Sequence, residues 1–233
     1  MAPVLIDPTR CRGLWYTLSK ELVSALVEAR EGDAVTVTTQ LLEAGAPLTI
    51  IADDADKAAT LLKRRLRHDQ ATVDDLMQFG ATLERIRCRV DQRLSGYSTG
   101  PEPLATVVLG TVKGDRHDLG KDLVSFALRA NAFAVRDLGT DVPPMDFVEA
   151  VLTSRAAVVG LSGSVAAAPA LMAETIAVLQ AQSPCERRVM VGGTATSEAV
   201  CQQVGADAWA HDARAAVQIA RGWLPASPLD SPS

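Results

Sequence analysis

The chain is poor in the residues on which several functional classes depend. Aromatic residues make up only 4% of its 233 positions, which is too few for a base-stacking surface. Its net charge of −5 offers no general attraction for nucleic acid. The four cysteines are scattered without a C-x-x-C pair, which favours reduced thiols and a cytoplasmic location.

A membrane-spanning segment is not expected either. Residues 156–173 form a stretch of 18 residues without a charge, which is the lower limit for a membrane span. The stretch contains several glycines and serines and also Pro169. It is better explained as a strand, a loop and the start of a helix in a buried α/β core. The N-terminus carries Asp7 and Arg10 and no signal-type apolar stretch, so we expect no export signal.

The first part of the chain has the pattern of an all-helical domain. Apolar residues between 14 and 29 recur at helical spacing. Gly32-Asp33 predicts the break before a second helix, and Gly45 suits the position just after that helix. Pro47 suits the first turn of a third helix, and Thr72 can cap a fourth. Short connections between four helices predict an antiparallel four-helix bundle over residues 1–94.

The second part of the chain alternates between strand and helix patterns. A predicted linker, residues 95–103, precedes an α/β domain at 104–224, and the Pro/Ser-rich tail, 225–233, is predicted to be disordered. The expected strands are 104–110, 133–138, 156–161, 187–191 and 207–210, and the expected helices are 118–131, 144–154, 168–182, 195–204 and 213–223. Five such units predict a doubly wound, flavodoxin-like parallel sheet with strand order 2-1-3-4-5.

Three loops of this domain carry the residues of chemical interest. Residues 114–121 read Gly-Asp-Arg-His-Asp-Leu-Gly-Lys and follow the first predicted strand. His117 can ligate a metal there, and Asp115 can hold its other ring nitrogen. Ser162 follows the third strand and Gly192-Gly193 the fourth, so all three loops should meet at one edge of the sheet.

The chain has only two other histidines, and neither fits this pattern. His68 ends a basic run that is typical of a solvated helix terminus. His211 follows the last strand but lacks an aspartate two residues before it, so we interpret it as a bystander.

The triplet of loops resembles the Asp-x-His-x-x-Gly … Ser-x-Leu … Gly-Gly signature of the cobalamin-binding domain family. That family includes methionine synthase, the corrinoid proteins of methyltransferase systems and B12-based photoreceptors. The resemblance covers residues 104–224 well and residues 14–94 more loosely. It implies cobalamin as the cofactor, with its own base displaced from cobalt and His117 bound there instead. The implied cofactor-binding set is Asp115, Arg116, His117, Asp118, Gly120, Ser162, Ser164, Gly192, Gly193 and Thr194.

The resemblance also implies individual roles. Asp115 would accept a hydrogen bond from His117, and Ser162 would offer its hydroxyl to the displaced base. Thr194 would reach a phosphate or ribose oxygen. Lys113 and Lys121 are either solvated or help to neutralise the cofactor's phosphate.

The chain departs from the family pattern at several positions. Ser164 replaces the leucine of Ser-x-Leu, which makes the implied base pocket more polar. Ala168 stands where many methyl-transferring relatives carry a hydroxyl that completes a relay with the Asp–His pair. In the helical part, Leu66 and Met77 align with the residues by which photoreceptors cover the upper face of the cofactor.

Three functions remain open from the sequence. The first is a corrinoid carrier that shuttles methyl groups between methyltransferases and is not catalytic alone. The second is a cobalamin-based sensor of light or ligand that acts through a protein partner such as a regulator. The third is a passive cobalamin store or chaperone. The segments 110–121 and 141–144 look more like carriers, whereas Ala168 favours a sensor.

Overall fold

The computed structural model describes residues 8–95, 102–182 and 187–224. The chain divides into two compact units, residues 1–100 and 101–233. Most of the predicted linker and all of the predicted tail lie outside the described residues.

The first unit contains the four predicted helices. They are α1 (Pro8–Val27), α2 (Glu31–Glu43), α3 (Leu48–Arg67) and α4 (Val73–Ser95). Large apolar side chains are buried between them, including Leu22, Leu41, Ile51, Phe79 and Ile86. This burial follows from the apolar stripe that each helix presents, and it supplies most of the stability of such helices.

Most ends of these helices follow the predicted signals, although Pro47 lies just before α3, as its N-cap, rather than in its first turn. Gly45 adopts a φ of 70° just after α2, as expected for a residue that ends a helix. The Thr72 hydroxyl accepts from the Asp75 amide at 3.2 Å, and the Asp75 carboxylate accepts from the Thr72 amide at 2.7 Å. The prediction that Gly32-Asp33 separates α1 from α2 is wrong by a few residues. The chain reverses at Ala29, which has a φ of 53°, so Gly32 already lies in the first turn of α2.

The second unit is a parallel sheet with helices on both faces. Its elements are β1 (Thr106–Thr111), α5 (Leu119–Ala130), β2 (Ala134–Asp137), α6 (Pro144–Ser154), β3 (Val158–Ser162), α7 (Ala168–Gln182), β4 (Arg188–Gly192), α8 (Glu198–Val204), β5 (Ala208–Ala210) and α9 (Ala213–Gly222). The strand order is β2-β1-β3-β4-β5 with every pairing parallel, so the predicted flavodoxin-like architecture is confirmed. Within the described ranges, no helix combines the length and apolarity that a bilayer crossing requires.

Strand register brings the three loops of interest together. Thr111, the last residue of β1, pairs with Ser162, the last residue of β3. Ser162 in turn pairs with Gly192 at the end of β4. The loops after β1, β3 and β4 therefore leave the sheet at the same level. The loops of β1 and β3 flank the point where the strand order reverses, which is where ligands bind in this class of sheet.

Candidate functional site

The loop after β1 presents His117 to solvent on a rigid support. Residues 112–115 form a turn in which the Asp115 amide donates to the Val112 carbonyl at 3.1 Å. Gly114 takes a φ of 77° in this turn, which a residue with a side chain would adopt at a cost. The His117 side chain is 67% exposed, whereas that of the neighbouring Asp115 is 0% exposed.

Asp115 sets the orientation of the His117 ring. One carboxylate oxygen, Oδ1, lies 2.6 Å from His117 Nδ1 and also accepts from the His117 backbone amide at 3.0 Å. Because the ionised carboxylate can only accept, Nδ1 carries the proton of the neutral ring, and in that form Nε2 keeps its lone pair. An aspartate-oriented imidazole with a free, exposed nitrogen is the usual arrangement of a histidine that ligates a metal.

The second oxygen of Asp115 holds the loop after β3. Oδ2 accepts hydrogen bonds from the backbone amides of Ser164 and Val165, the latter at 3.2 Å. Burial raises the pKa of Asp115. The hydrogen bonds from the Ser164, Val165 and His117 amides and from the His117 ring outweigh burial, so the pKa lies below its usual value. Asp115 is therefore ionised and joins the first two loops of the site.

The loops after β3 and β4 are joined by backbone contacts. The Gly163 amide donates to the Gly192 carbonyl at 2.9 Å, and the Ala195 amide donates to the Gly163 carbonyl at 3.2 Å. Gly193 has a φ of 105°, and a Cβ there would lie 2.2 Å from the Gly163 carbonyl oxygen. Only glycine fits this approach.

The remaining predicted residues lie on the same edge of the sheet. Arg116 and Asp118 are exposed on the β1 loop, and Ser162 is half-buried at the end of β3. The Thr194 hydroxyl lies 3.5 Å from the Ser164 carbonyl oxygen, so in this structure it faces the neighbouring loop. The ten predicted residues thus lie in the three loops or in the strand ends and helix start beside them, and the β3 loop contacts each of the other two.

Gly120 differs from the glycines of the β4 loop. It is the second residue of α5 and has no left-handed backbone. A Cβ built there would meet no protein atom within 4 Å beyond its own helical turn. Neither backbone conformation nor protein packing requires glycine here, so the open space suits an external group that approaches the helix closely.

Lys121 is not a solvated or phosphate-facing residue. Its side chain is 3% exposed, and its Nζ lies 2.6 Å from Asp122 and 2.7 Å from Asp137. Burial lowers the pKa of Lys121, but the bonds to the two carboxylates outweigh burial and raise it. Residue spacing could not reveal this, because Asp137 comes from the neighbouring strand β2. Lys113, the other lysine considered, is exposed.

Sequence reasoning missed two residues that hold the His117 loop. The Thr111 hydroxyl donates to the His117 carbonyl at 3.0 Å. The Asp141 carboxylate accepts from the Gly114 amide at 2.7 Å, although Asp141 lies on the loop after β2. The position of Thr111 at the end of a buried strand was a usable signal for the first contact. The second contact depends on pairing between β1 and β2.

Neither of the other two histidines takes part in the hydrogen bonds described above. His68 is exposed at the C-terminal end of α3, in the other unit. His211 is exposed after β5, with its ring 5.6 Å from that of Trp209 and its Nε2 3.3 Å from Asp212. The exposure of His68 agrees with a solvated helix end, and the interpretation of His211 as a bystander remains a prediction.

The site suits a metal that is already bound within a macrocyclic cofactor. In the described part of the chain, no three His, Cys, Asp or Glu side chains converge on a common metal position. His117 offers a single free nitrogen, which suits a cobalt whose equatorial ligands come from a corrin ring. The open space at Gly120 and the glycine-lined β4 loop also suit a bulky cofactor.

Comparison with known proteins identifies the relatives of both units. Residues 105–219 match the B12 binding domain family. Dimethylamine corrinoid protein 2 of Methanosarcina acetivorans is 31% identical over 215 residues, which cover 89% of this chain and 96% of that protein.

Solved structures resemble the chain over most of its length. A crystal structure of a cobalamin-binding protein from Desulfitobacterium hafniense is 28% identical, with a TM-score of 0.56 over 89% of this chain and 98% of that one. The monomethylamine corrinoid protein of Methanosarcina barkeri has a TM-score of 0.68 at 22% identity, over 85% of this chain and 94% of that one. The second likeness shows a shared fold.

Proposed function

The chain belongs to the family of B12-binding corrinoid proteins, and from that premise we propose that it carries methyl groups on cobalamin between partner methyltransferases. The observation that carries the proposal is the exposed, Asp115-oriented ring of His117 at the sheet edge. The match to a dimethylamine corrinoid protein over nearly its whole length favours a carrier among the functions left open by the sequence. When bound, cobalamin supplies a cobalt centre that accepts and releases a methyl group.

In this proposal, each loop performs one task. His117 Nε2 binds cobalt in place of the cofactor's own base, which is the base-off, His-on state. Asp115 fixes the tautomer and the direction of the ring. Ser162 donates to the displaced base, and the β4 loop lets its backbone approach the nucleotide closely. Arg116 and Thr194 are placed to bind phosphate or ribose oxygens.

The helical bundle is proposed to cover the upper face of the cofactor. Val73 and Met77 are exposed apolar side chains at the start of α4, and their exposure leaves them free to contact a ligand. A carrier must uncover its cobalt for its partners, so the cap should be held by modest contacts that open readily.

A cobalamin-based sensor is the second candidate, and one observation favours it. Ala168 is buried and carries no hydroxyl, and the Oδ2 atom of Asp115 bonds backbone amides instead. The Asp115–His117 pair therefore has no side-chain relay to solvent of the kind that many methyl-transferring relatives are expected to have. A sensor would change its assembly with light or ligand, whereas a carrier would not.

The test replaces His117 in the full chain loaded with hydroxocobalamin or methylcobalamin. His117→Gln should shift the absorption spectrum of the bound cofactor and weaken its retention, because cobalt loses its protein ligand. His211→Gln is the matched control, since His211 is also exposed at this edge, and its spectrum should equal the parent's. Asp115→Ala should weaken binding by about 10- to 100-fold. Coincident spectra for His117→Gln and the parent would remove His117 as the ligand.

The same loaded protein separates the two candidate functions. After a chemical reductant has brought the hydroxocobalamin-loaded protein to Co(I), a carrier should accept a methyl group from a methylamine-type methyltransferase, and it should keep the same elution volume in darkness and light. A change of elution volume on illumination, without methyl uptake, would favour the sensor.

A further inference from the structure

The loop between β2 and α6 brackets the peptide unit that carries Asp115. The Asp141 carboxylate accepts from the Gly114 amide at 2.7 Å. The Asp141 backbone amide donates to the Asp115 carbonyl oxygen at 2.9 Å. Asp141 thus binds the amide of Gly114 and the carbonyl of Asp115, one on each side of the peptide bond that joins these two residues. Asp115 precedes Asp141 by 26 residues in the chain.

Asp141 adopts a conformation that is unusual for a residue with a side chain. Its φ is 56°, in the left-handed region, which asparagine and aspartate tolerate better than most other residues. The strain is balanced by the two hydrogen bonds, and the residue after it is fixed as well. Val142 bridges to Val112 in parallel register, and the Val142 amide donates to the Thr111 carbonyl at 3.0 Å.

An ion cluster around the buried Lys121 holds the start of the same loop. Lys121 binds both oxygens of Asp137, and one of those oxygens accepts from the Gly139 amide at 2.9 Å. The Gly139 carbonyl in turn accepts from the Thr111 amide at 2.9 Å. The β2–α6 loop is therefore held on both sides of Asp141, by the contacts of Asp137 and Gly139 before it and by those of Val142 after it.

We propose that Asp141 is a positioning residue that holds Asp115 in the orientation in which it selects the Nδ1–H tautomer of His117. The inference rests on the proposed function, because it gives the tautomer its purpose as the state with Nε2 free for cobalt. Asp141 acts through the backbone groups of Gly114 and Asp115 and makes no hydrogen bond to His117. If the Asp141 carboxylate is removed, the Gly114 amide loses its acceptor, and the turn at residues 112–115 can rotate. The Asp115 carboxylate then no longer confines the ring to one tautomer.

The test reads the tautomer in the cofactor-free full chain by nitrogen NMR, in which protonated and bare ring nitrogens resonate far apart. The chain has only three histidines, and His117→Gln assigns the signals of interest. Asp141→Gly keeps the left-handed backbone and removes the acceptor. Asp141→Asn keeps both. Asp146→Ala is the control, since Asp146 is an exposed carboxylate in the first turn of α6.

In the parent, in Asp141→Asn and in Asp146→Ala, the bare nitrogen of His117 should be Nε2. In Asp141→Gly the two ring nitrogens should move toward a common, averaged position, while the signals of His68 and His211 stay in place. Parent-like His117 signals in folded Asp141→Gly overturn the proposal, as does an Asp141→Asn spectrum that matches Asp141→Gly. If Asp141→Gly does not fold, exchange of the Gly114 amide in the parent tests the same contact, and exchange at the unfolded rate overturns it.

A second arm loads the same variants with hydroxocobalamin. Asp141→Gly should bind it more weakly, by less than the 10- to 100-fold expected for the direct partner of a ligand, while Asp141→Asn binds it like the parent. The two arms fail independently. If Asp141→Gly changes the tautomer but the loaded parent shows no histidine–cobalt signature, the positioning role stands and the proposed ligation fails. If the loaded parent shows that signature but Asp141→Gly leaves the tautomer unchanged, the ligation stands and the positioning role fails.

Discussion

Gly120→Ala should stabilise the cofactor-free protein and weaken cobalamin binding. Gly120 is the second residue of α5, its φ is ordinary, and a Cβ there meets open space. Alanine at such a helical position is favoured over glycine by about 0.4–1 kcal/mol, largely because it lowers the entropy of the unfolded chain. For a protein of this size, that gain raises the melting temperature by about 1–4 °C.

The opposite effect on binding follows if the cofactor occupies the open space. An extra methyl group in a close contact costs about 1–3 kcal/mol, which raises the dissociation constant of cobalamin about 5- to 150-fold. Melting is followed by circular dichroism on the cofactor-free protein, and binding by titration with hydroxocobalamin. A substitution that merely damaged the fold would lower both quantities together.

Gly32→Ala is the matched control, because Gly32 is the second residue of α2 and a Cβ there also meets open space. It should stabilise the protein by a similar amount and leave the affinity for cobalamin unchanged. Parent-like affinity of Gly120→Ala would show that no cofactor atom approaches this turn and would refute the assignment of Gly120.

Three further predictions address Gly193, the ion cluster and the bundle. Gly193→Ala should destabilise the cofactor-free protein by on the order of 3 kcal/mol in urea unfolding, because of its φ of 105° and its close approach to Gly163; parent-like stability would contradict that geometry. Lys121→Met should cost about 1–3 kcal/mol at neutral pH, since it leaves two carboxylates without their partner. The folded-state pKa of Lys121 is raised, so this contribution is present below the unfolded value and lost as the pH rises through the folded one. The stability difference between parent and variant should therefore shrink above about pH 10.5, and a difference that grows there would show that the sign is wrong. Residues 101–233 expressed alone should still bind cobalamin, while their methylcobalamin form loses its methyl group faster in light; an unchanged photolysis rate would mean that the bundle is not the cap.

The architecture was predictable because it depends on local and periodic signals. Apolar residues at helical spacing and capping residues such as Thr72 and Gly45 marked the helices of the bundle. Five alternating strand and helix patterns implied one parallel sheet, whose topology leaves few choices of strand order. The break after α1 was misplaced because Ala29, rather than Gly32, takes the left-handed conformation, and an alanine carries no such signal.

The candidate site was predictable in part. Asp115 and His117 are two residues apart, so their contact follows from local geometry once they lie in one loop. That Ser162 and Gly192 lie at the same edge of the sheet follows from their places at the ends of parallel strands. The sequence by itself thus determined which side chains share the edge of the sheet.

Only the tertiary structure decided how those side chains are held. The second oxygen of Asp115 binds the amides of Ser164 and Val165, and Asp141 brackets the Gly114 turn. These contacts join segments that are far apart in the chain and use backbone amides, which every residue except proline possesses. No residue type marks such a partner in advance. The partner is set by strand register and by the direction in which each loop leaves its strand, and both arise only when the sheet assembles.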